Sequence, residues 1–157
     1  MQPTMIDARL QALGITLPAP SAPSHSYVHA RQVGVLLYIA GHSPKRNGSY
    51  PYLGKLGAEV SIEQGQECAR NCVVNCLASA AAHLGTLDRV ASVVKLVGYV
   101  ASAPTFTQQP QVINAASDLL LAIFGEAGRH ARTSVGVSVL PGNIPVEIEM
   151  ILEVTPE

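Results

Sequence analysis

The chain has 157 residues, 48% of them hydrophobic and only 13% charged, and its ten Lys and Arg against eleven Asp and Glu leave a formal charge of −1. That length fits one domain whose core needs neither disulfides nor a structural metal, and the scattered, near-neutral charge offers no footing for nucleic acid or an anionic membrane. So much apolar surface on so small a chain points to self-association as a symmetric homo-oligomer.

In chain order, residues 1–25 read as an N-terminal extension: a short helical signal at Ile6, Leu10 and Leu13, then a Pro/Ala/Ser segment. A single domain is expected over residues 26–157. It begins with "YVHARQVGVLLYIAGHSP", in which Tyr27 to Arg31 and Val35 to Ala40 are β-prone runs around a turn at Gly34, so a hairpin is expected. The stretch from Gly41 to Val60 is too rich in Gly and Pro for a regular element. Ser61 with Gln64 three positions on forms a capping box, and the apolar stripe Ala69, Cys72, Val73, Cys76, Leu77, Ala80, Leu84 predicts a helix that stops at Gly85, with Arg70, Asn71 and Asn75 off the stripe.

After Arg89, "VASVVKLVGYVAS" suits a central strand with both faces largely covered. Pro110 opens a second helix whose buried side carries Val112, Ile113, Ala116, Leu119, Leu120, Ile123 and Phe124, with Gly125 at its end. "HARTSVGVSVLPGNIPVEIEM" closes the chain as two strands around a Pro-Gly-Asn turn, read as a hairpin. The order ββαβαββ implies an α+β fold, a mixed sheet with two helices on one face. Its other face has no cover in this chain, so subunits are expected to meet sheet to sheet or edge to edge, as a closed ring.

Cys68, Cys72 and Cys76 recur every fourth position on one helix, with no His or fourth Cys at a zinc spacing, and read as reduced thiols packed in a core. The five histidines show no HExxH or other metal pattern, and GxSxG, P-loop and GxGxxG motifs are missing, so no metal or organic cofactor is expected. No apolar run approaches the roughly 18 residues of a membrane span, and no basic segment leads into an apolar one at the N-terminus. The expected location is the cytoplasm.

Arg132 stands at the start of a strand, where its planar fork could take a carboxylate bidentately; the alternative is a solvated edge arginine. Arg129 and His130 are neighbouring candidates for the same cationic role. Glu147 and Glu149, two apart on the last strand, share one face, which is either solvated or, at a subunit contact, able to supply a general base or hold a water. Tyr27, Asn114 and the turn "AGHSP" at Ala40 to Pro44 are further polar points beside apolar runs.

Four stretches, "YVHARQVGVLLYIAGHSP", "LDRVASVVKLVGYVAS", "QPQVINAASDLLLAIFG" and "HARTSVGVSVLPGNIPVEIE", resemble the RidA (YjgF-like) reactive-intermediate deaminases, also known as L-PSP endoribonuclease-like proteins, from about Tyr27 to Val154. The resemblance implies a chorismate-mutase-like fold assembled as a barrel-like homotrimer with clefts between subunits. It also implies hydrolysis of 2-imino or 2-enamino acids to keto acid and ammonia, with Arg132 gripping the substrate carboxylate and Glu147 holding the attacking water. Tyr27, Gly41 and Asn114 fall at the family's remaining pocket positions. Three departures mark a divergent branch: Ser134 stands where a cysteine is usual, "AGHSP" replaces the usual "SGQxP" and brings His42 to the pocket edge, and the loop from Lys45 to Glu59 is unusual. Two other functions are carried alongside deamination: a non-catalytic module that binds a small carboxylate, and, from the family's older name, a ribonuclease or translation inhibitor.

Overall fold

A computed structural model describes residues 4–156. The elements are α1 (Met5–Ala12), β1 (Ala30–Val33), β2 (Leu36–His42), α2 (Ile62–Leu84), β3 (Val90–Ala101), α3 (Gln109–Phe124), β4 (Ala131–Val137) and β5 (Val146–Val154). The capping box opens α2: Ser61 Oγ accepts from the Gln64 amide, the Gln64 side chain accepts from the Ser61 amide, and Gly85 ends the helix in the left-handed conformation at φ 81°. Turn chemistry at Gly34, φ 60°, closes the β1–β2 hairpin.

One five-stranded mixed sheet runs in the order β1-β2-β5-β3-β4. Every pairing is antiparallel except β3 with β4, which is parallel. The last two strands are therefore not the expected hairpin. The crossover through α3 lays β4 beside β3 as an edge strand, and β5 then enters between β2 and β3. Its apolar residues Val146, Ile148, Met150 and Leu152 are all buried, and that position surrounds them with neighbours on both sides. Pro141–Asn143 forms a 3₁₀ turn in which Gly142 and Asn143 take positive φ, and it carries the chain past the end of β3.

α2 and α3 cover one face of the sheet. β3 is paired along both edges, yet Val93, Leu96 and Val100 on its helix face are buried while Val97 and Tyr99 between them are only half-buried. Its opposite face is half open, contrary to the expectation of cover on both sides. Tyr38, Val97, Tyr99, Glu147, Glu149 and Ile151 share this uncovered face, as the register Tyr38↔Ile151, Val97↔Glu149 and Tyr99↔Glu147 requires. Asn71 is also corrected: it is buried in α2 rather than off the apolar stripe, and its Nδ2 has no hydrogen-bond partner among the described residues.

The extension contributes a third helix. Thr4 and Asp7 cap α1 reciprocally, the Asp88 carboxylate accepts from the amides of Met5 at 3.2 Å and Ile6 at 2.9 Å, and Arg9 donates to the Ile123 carbonyl at 2.9 Å. Ile6 and Leu10 are buried in the main core, whereas Leu13, the third residue of that signal, is exposed. The three thiols are free and buried. Cys72 and Cys76 donate to the carbonyls of Val146 and Ile148 on β5. No helix among the described residues is long and apolar enough to cross a membrane.

Candidate functional site

Arg132 is the second residue of β4 and pairs in register with Leu96, a fully buried residue of β3. Its side chain therefore turns to the helix face of the sheet and meets α3. There Nη1 donates to Asn114 Oδ1 at 2.8 Å and to Ser117 Oγ at 3.2 Å. Asn114 and Ser117 lie three apart, on one side of the helix. Ser117 Oγ is also 3.0 Å from His130 Nε2, and His130 Nδ1 is 2.7 Å from the Gly128 carbonyl. A cavity of about 280 Å³ adjoins this cluster, lined by residues that include Asp118, Arg129 and His130. Arg129 is committed elsewhere, in an exposed pair with Glu126 at 2.8 Å. Ser134, two residues along the same strand, has a buried Oγ with no partner among the described residues.

Glu147 belongs to β5, opposite Tyr99, and faces the uncovered side of the sheet. Partial burial pushes its carboxyl above the ordinary glutamate range, and the nearby Glu149 charge adds to the rise. Gly41 sits directly against it: a Cβ there would overlap the Glu147 carboxylate. This close approach is made at a bulge, where β2 carries an extra residue between Ile39 and His42.

The bulge also re-aims His42. Rather than lining the Glu147 side with Gly41, its ring turns to the helix layer and is buried. Nδ1 lies 2.6 Å from the Ala40 carbonyl, and because a carbonyl only accepts, this nitrogen carries the proton; Nε2 then accepts from Ser79 Oγ at 2.7 Å. Burial holds the His42 pKa below its usual value. Tyr27 precedes β1, which begins three residues later than the sequence suggests because pairing with β2 stops at the bulge. It is 48% exposed, and its ring stands edge-on to His29 at 5.5 Å; His29 in turn lies 5.0 Å from His42.

Four of the five expected site residues thus fall into two groups in one chain, and Tyr27 stands apart against His29. Arg132 and Asn114 meet on the helix face at the β4 edge, while Glu147 and Gly41 meet on the opposite face. Glu147 aligns through Tyr99 with Val135, so Arg132 is two strands and three residues away. With strands about 4.8 Å apart and a rise of about 3.3 Å per residue, the two Cα atoms are roughly 14 Å apart, and the side chains diverge. Sequence reasoning passed over Ser117, whose signal was its three-residue spacing from Asn114, and took His130 only as a cation.

Comparison with known proteins yields a consistent set. Residues 7–154 match a family model described as "YjgF/chorismate_mutase-like, putative endoribonuclease". Protein TCP17 of Trypanosoma cruzi is 45% identical over 149 residues, covering 94% of this chain and 93% of its own length. The crystal structure of a protein of unknown function from Agrobacterium tumefaciens is 42% identical, covers 96% of this chain and 92% of its own, and superposes with a TM-score of 0.89. That of a "putative endoribonuclease" from Shewanella oneidensis is 32% identical, covers 96% and 100%, and gives a TM-score of 0.92.

Proposed function

The chain belongs to the YjgF/chorismate-mutase-like family, and on that premise we propose that it hydrolyses reactive enamine and imine intermediates of amino acids to a 2-keto acid and ammonia. The reaction runs in clefts between three copies of the chain, where Arg132 of one copy faces Glu147 of the partner subunit. The observation that carries the reading is the condition of Arg132. Its Nη1 hydrogens are spent on Asn114 and Ser117, while Nη2 and Nε have no hydrogen bond among the described residues. That leaves one edge of a fixed guanidinium for a carboxylate, the geometry a bidentate pair needs.

With the carboxylate held there, a water on Glu147 adds to the electrophilic imine carbon. The C–O bond forms as the C=N π pair moves to nitrogen, and Glu147 takes a proton from the water and passes it to that nitrogen. In the collapse of the resulting carbinolamine, Glu147 takes the hydroxyl proton as the C=O bond forms and the C–N bond breaks, and the departing nitrogen receives that proton and leaves as ammonia. Orientation and modest general-base help suffice, because the imine is already activated. The elevated carboxyl of Glu147 suits it to accept the proton.

The test is a coupled assay on freshly generated 2-aminoacrylate. Turnover above buffer is expected, with kcat/KM reduced roughly a hundredfold in Arg132→Ala, about 3 kcal/mol for a lost charge-assisted carboxylate contact. Ammonia release no faster than buffer, or full activity in Arg132→Ala, overturns it. The same free guanidinium edge favours a second reading, a module that binds a small carboxylate without turnover. Saturable pyruvate binding that is lost in Arg132→Ala, with no ammonia released, selects that reading. RNA cleavage is disfavoured by a formal charge of −1, which gives phosphate backbones little to hold.

A further inference from the structure

We propose that Ser117 and His130 are positioning residues for Arg132, a pair that fixes the hydrogen-bonding polarity around the guanidinium and so presents its free edge to a carboxylate. This rests on the reading of Arg132 as a carboxylate clamp, and it concerns two residues that do not touch the substrate. The Gly128 carbonyl lies 2.7 Å from His130 Nδ1. A carbonyl oxygen only accepts, so the proton of the neutral ring sits on Nδ1, and Nε2 presents a lone pair.

The Ser117 hydroxyl, 3.0 Å from Nε2, therefore spends its one hydrogen on the ring. Only lone pairs remain on Oγ, and Arg132 Nη1 donates into one of them at 3.2 Å. The opposite histidine tautomer would turn Nε2–H toward the hydroxyl and push the serine hydrogen toward the arginine, setting donor against donor. Asn114 Oδ1 takes the other Nη1 hydrogen at 2.8 Å. Two acceptors on one nitrogen stop the guanidinium from turning, so the Nη2–Nε edge keeps one direction.

The orienting carbonyl is itself held in place. Gly128 packs so closely on α3 that a Cβ would run into the Leu120 carbonyl and the Cα of Leu121. Only glycine lets this turn approach the helix carrying Asn114 and Ser117. The relay therefore reads from α3 backbone to Gly128, His130, Ser117 and Arg132. The other charged groups lining the adjoining cavity are Asp118 and Arg129, the latter paired with Glu126.

The experiment combines kinetics with a tautomer measurement on the full chain. Ser117→Ala and His130→Asn, the latter keeping a donor toward Gly128 but losing the acceptor for Ser117, are expected to raise KM for 2-aminoacrylate about tenfold with kcat within about twofold of wild type. Ser117→Thr, which keeps the hydroxyl, restores KM. ¹⁵N NMR spectra are expected to show the His130 ring protonated at Nδ1 and bare at Nε2, in wild type and in Arg132→Ala alike. An Nε2–H tautomer, or an unchanged KM in Ser117→Ala where Arg132→Ala loses activity, overturns the proposal while leaving the deaminase reading intact. If wild type does not turn over 2-aminoacrylate, that reading fails and pyruvate titration decides the relay. Binding about tenfold weaker in Ser117→Ala supports the relay, equal binding overturns it, and no binding to wild type overturns the clamp and the relay together.

Discussion

Arg132 and Glu147 occupy opposite faces of the same sheet: Arg132 is folded onto α3 by Asn114 and Ser117, while Glu147 lies against Gly41 on the side the helices leave bare. On the proposed reading, one chain carries two half-sites. The bare face, with exposed Val33, Tyr38 and Val135, is also where apolar surface needs a partner, so assembly and completion of the site become one event in this account.

In the proposed reaction Glu147 sets the acid side of the pH dependence. Its carboxyl is raised, first by burial and then by Glu149, and the working form is the carboxylate. The acid limb of kcat should therefore lie above the roughly 4.3 of an unperturbed glutamate, with activity falling as pH drops through the raised value. Glu149→Gln removes the like charge and should move that limb to lower pH in a pH–rate profile. Glu147→Gln should abolish the limb along with most of the turnover.

Gly41→Ala separates the site from the fold. The atom met by the new Cβ is the far end of the Glu147 side chain, so the backbone need not move. Melting temperature should change little, while 2-aminoacrylate turnover falls at least about tenfold as the carboxylate is displaced. An equal loss of both would mean that Gly41 serves the strand rather than the site.

The extension should behave as part of the fold. Ile6 is buried in the main core and its amide is held by Asp88. Ile6→Ala should cost about 3 kcal/mol in a denaturant titration, as for other buried Ile→Ala truncations. A cost near zero would show that α1 merely rests on the surface.

The cysteines should be inert. Burial pushes the Cys68 thiol up to about 12 and raises Cys72 and Cys76 as well, so few thiolates exist near neutrality. Iodoacetamide at pH 8 should label all three only after unfolding, as read by intact mass.

Much of this was legible in the sequence because the signals were local. Ser61 with Gln64 and Gly85 marks both ends of α2, and the alternation from Val146 to Val154 states which face of β5 is buried. The pairing of β4 and β5 was not legible, since Pro141-Gly142-Asn143 has the same turn chemistry whether the flanking strands meet or straddle β3. Only the partners of β5, distant in sequence, decide that. Arg132, Asn114, Gly41 and Glu147 could be picked out by motif, but not their division between two faces. Ser117 acquires its meaning only when Arg132 folds back onto α3, and His42 was misread because a bulge at Ala40 and Gly41 reverses the side to which it points.

In the proposed reaction Arg132 and Glu147 act together across two copies of the chain. The test mixes the two impaired variants Arg132→Ala and Glu147→Gln, unfolds them together and refolds them. Each cleft that pairs an intact Arg132 from one copy with an intact Glu147 from another regains function, so roughly a quarter of wild-type activity on 2-aminoacrylate should return if subunits assort at random in a closed ring. If both residues served one site within a single chain, the mixture would stay as impaired as its components, and that result would contradict the account.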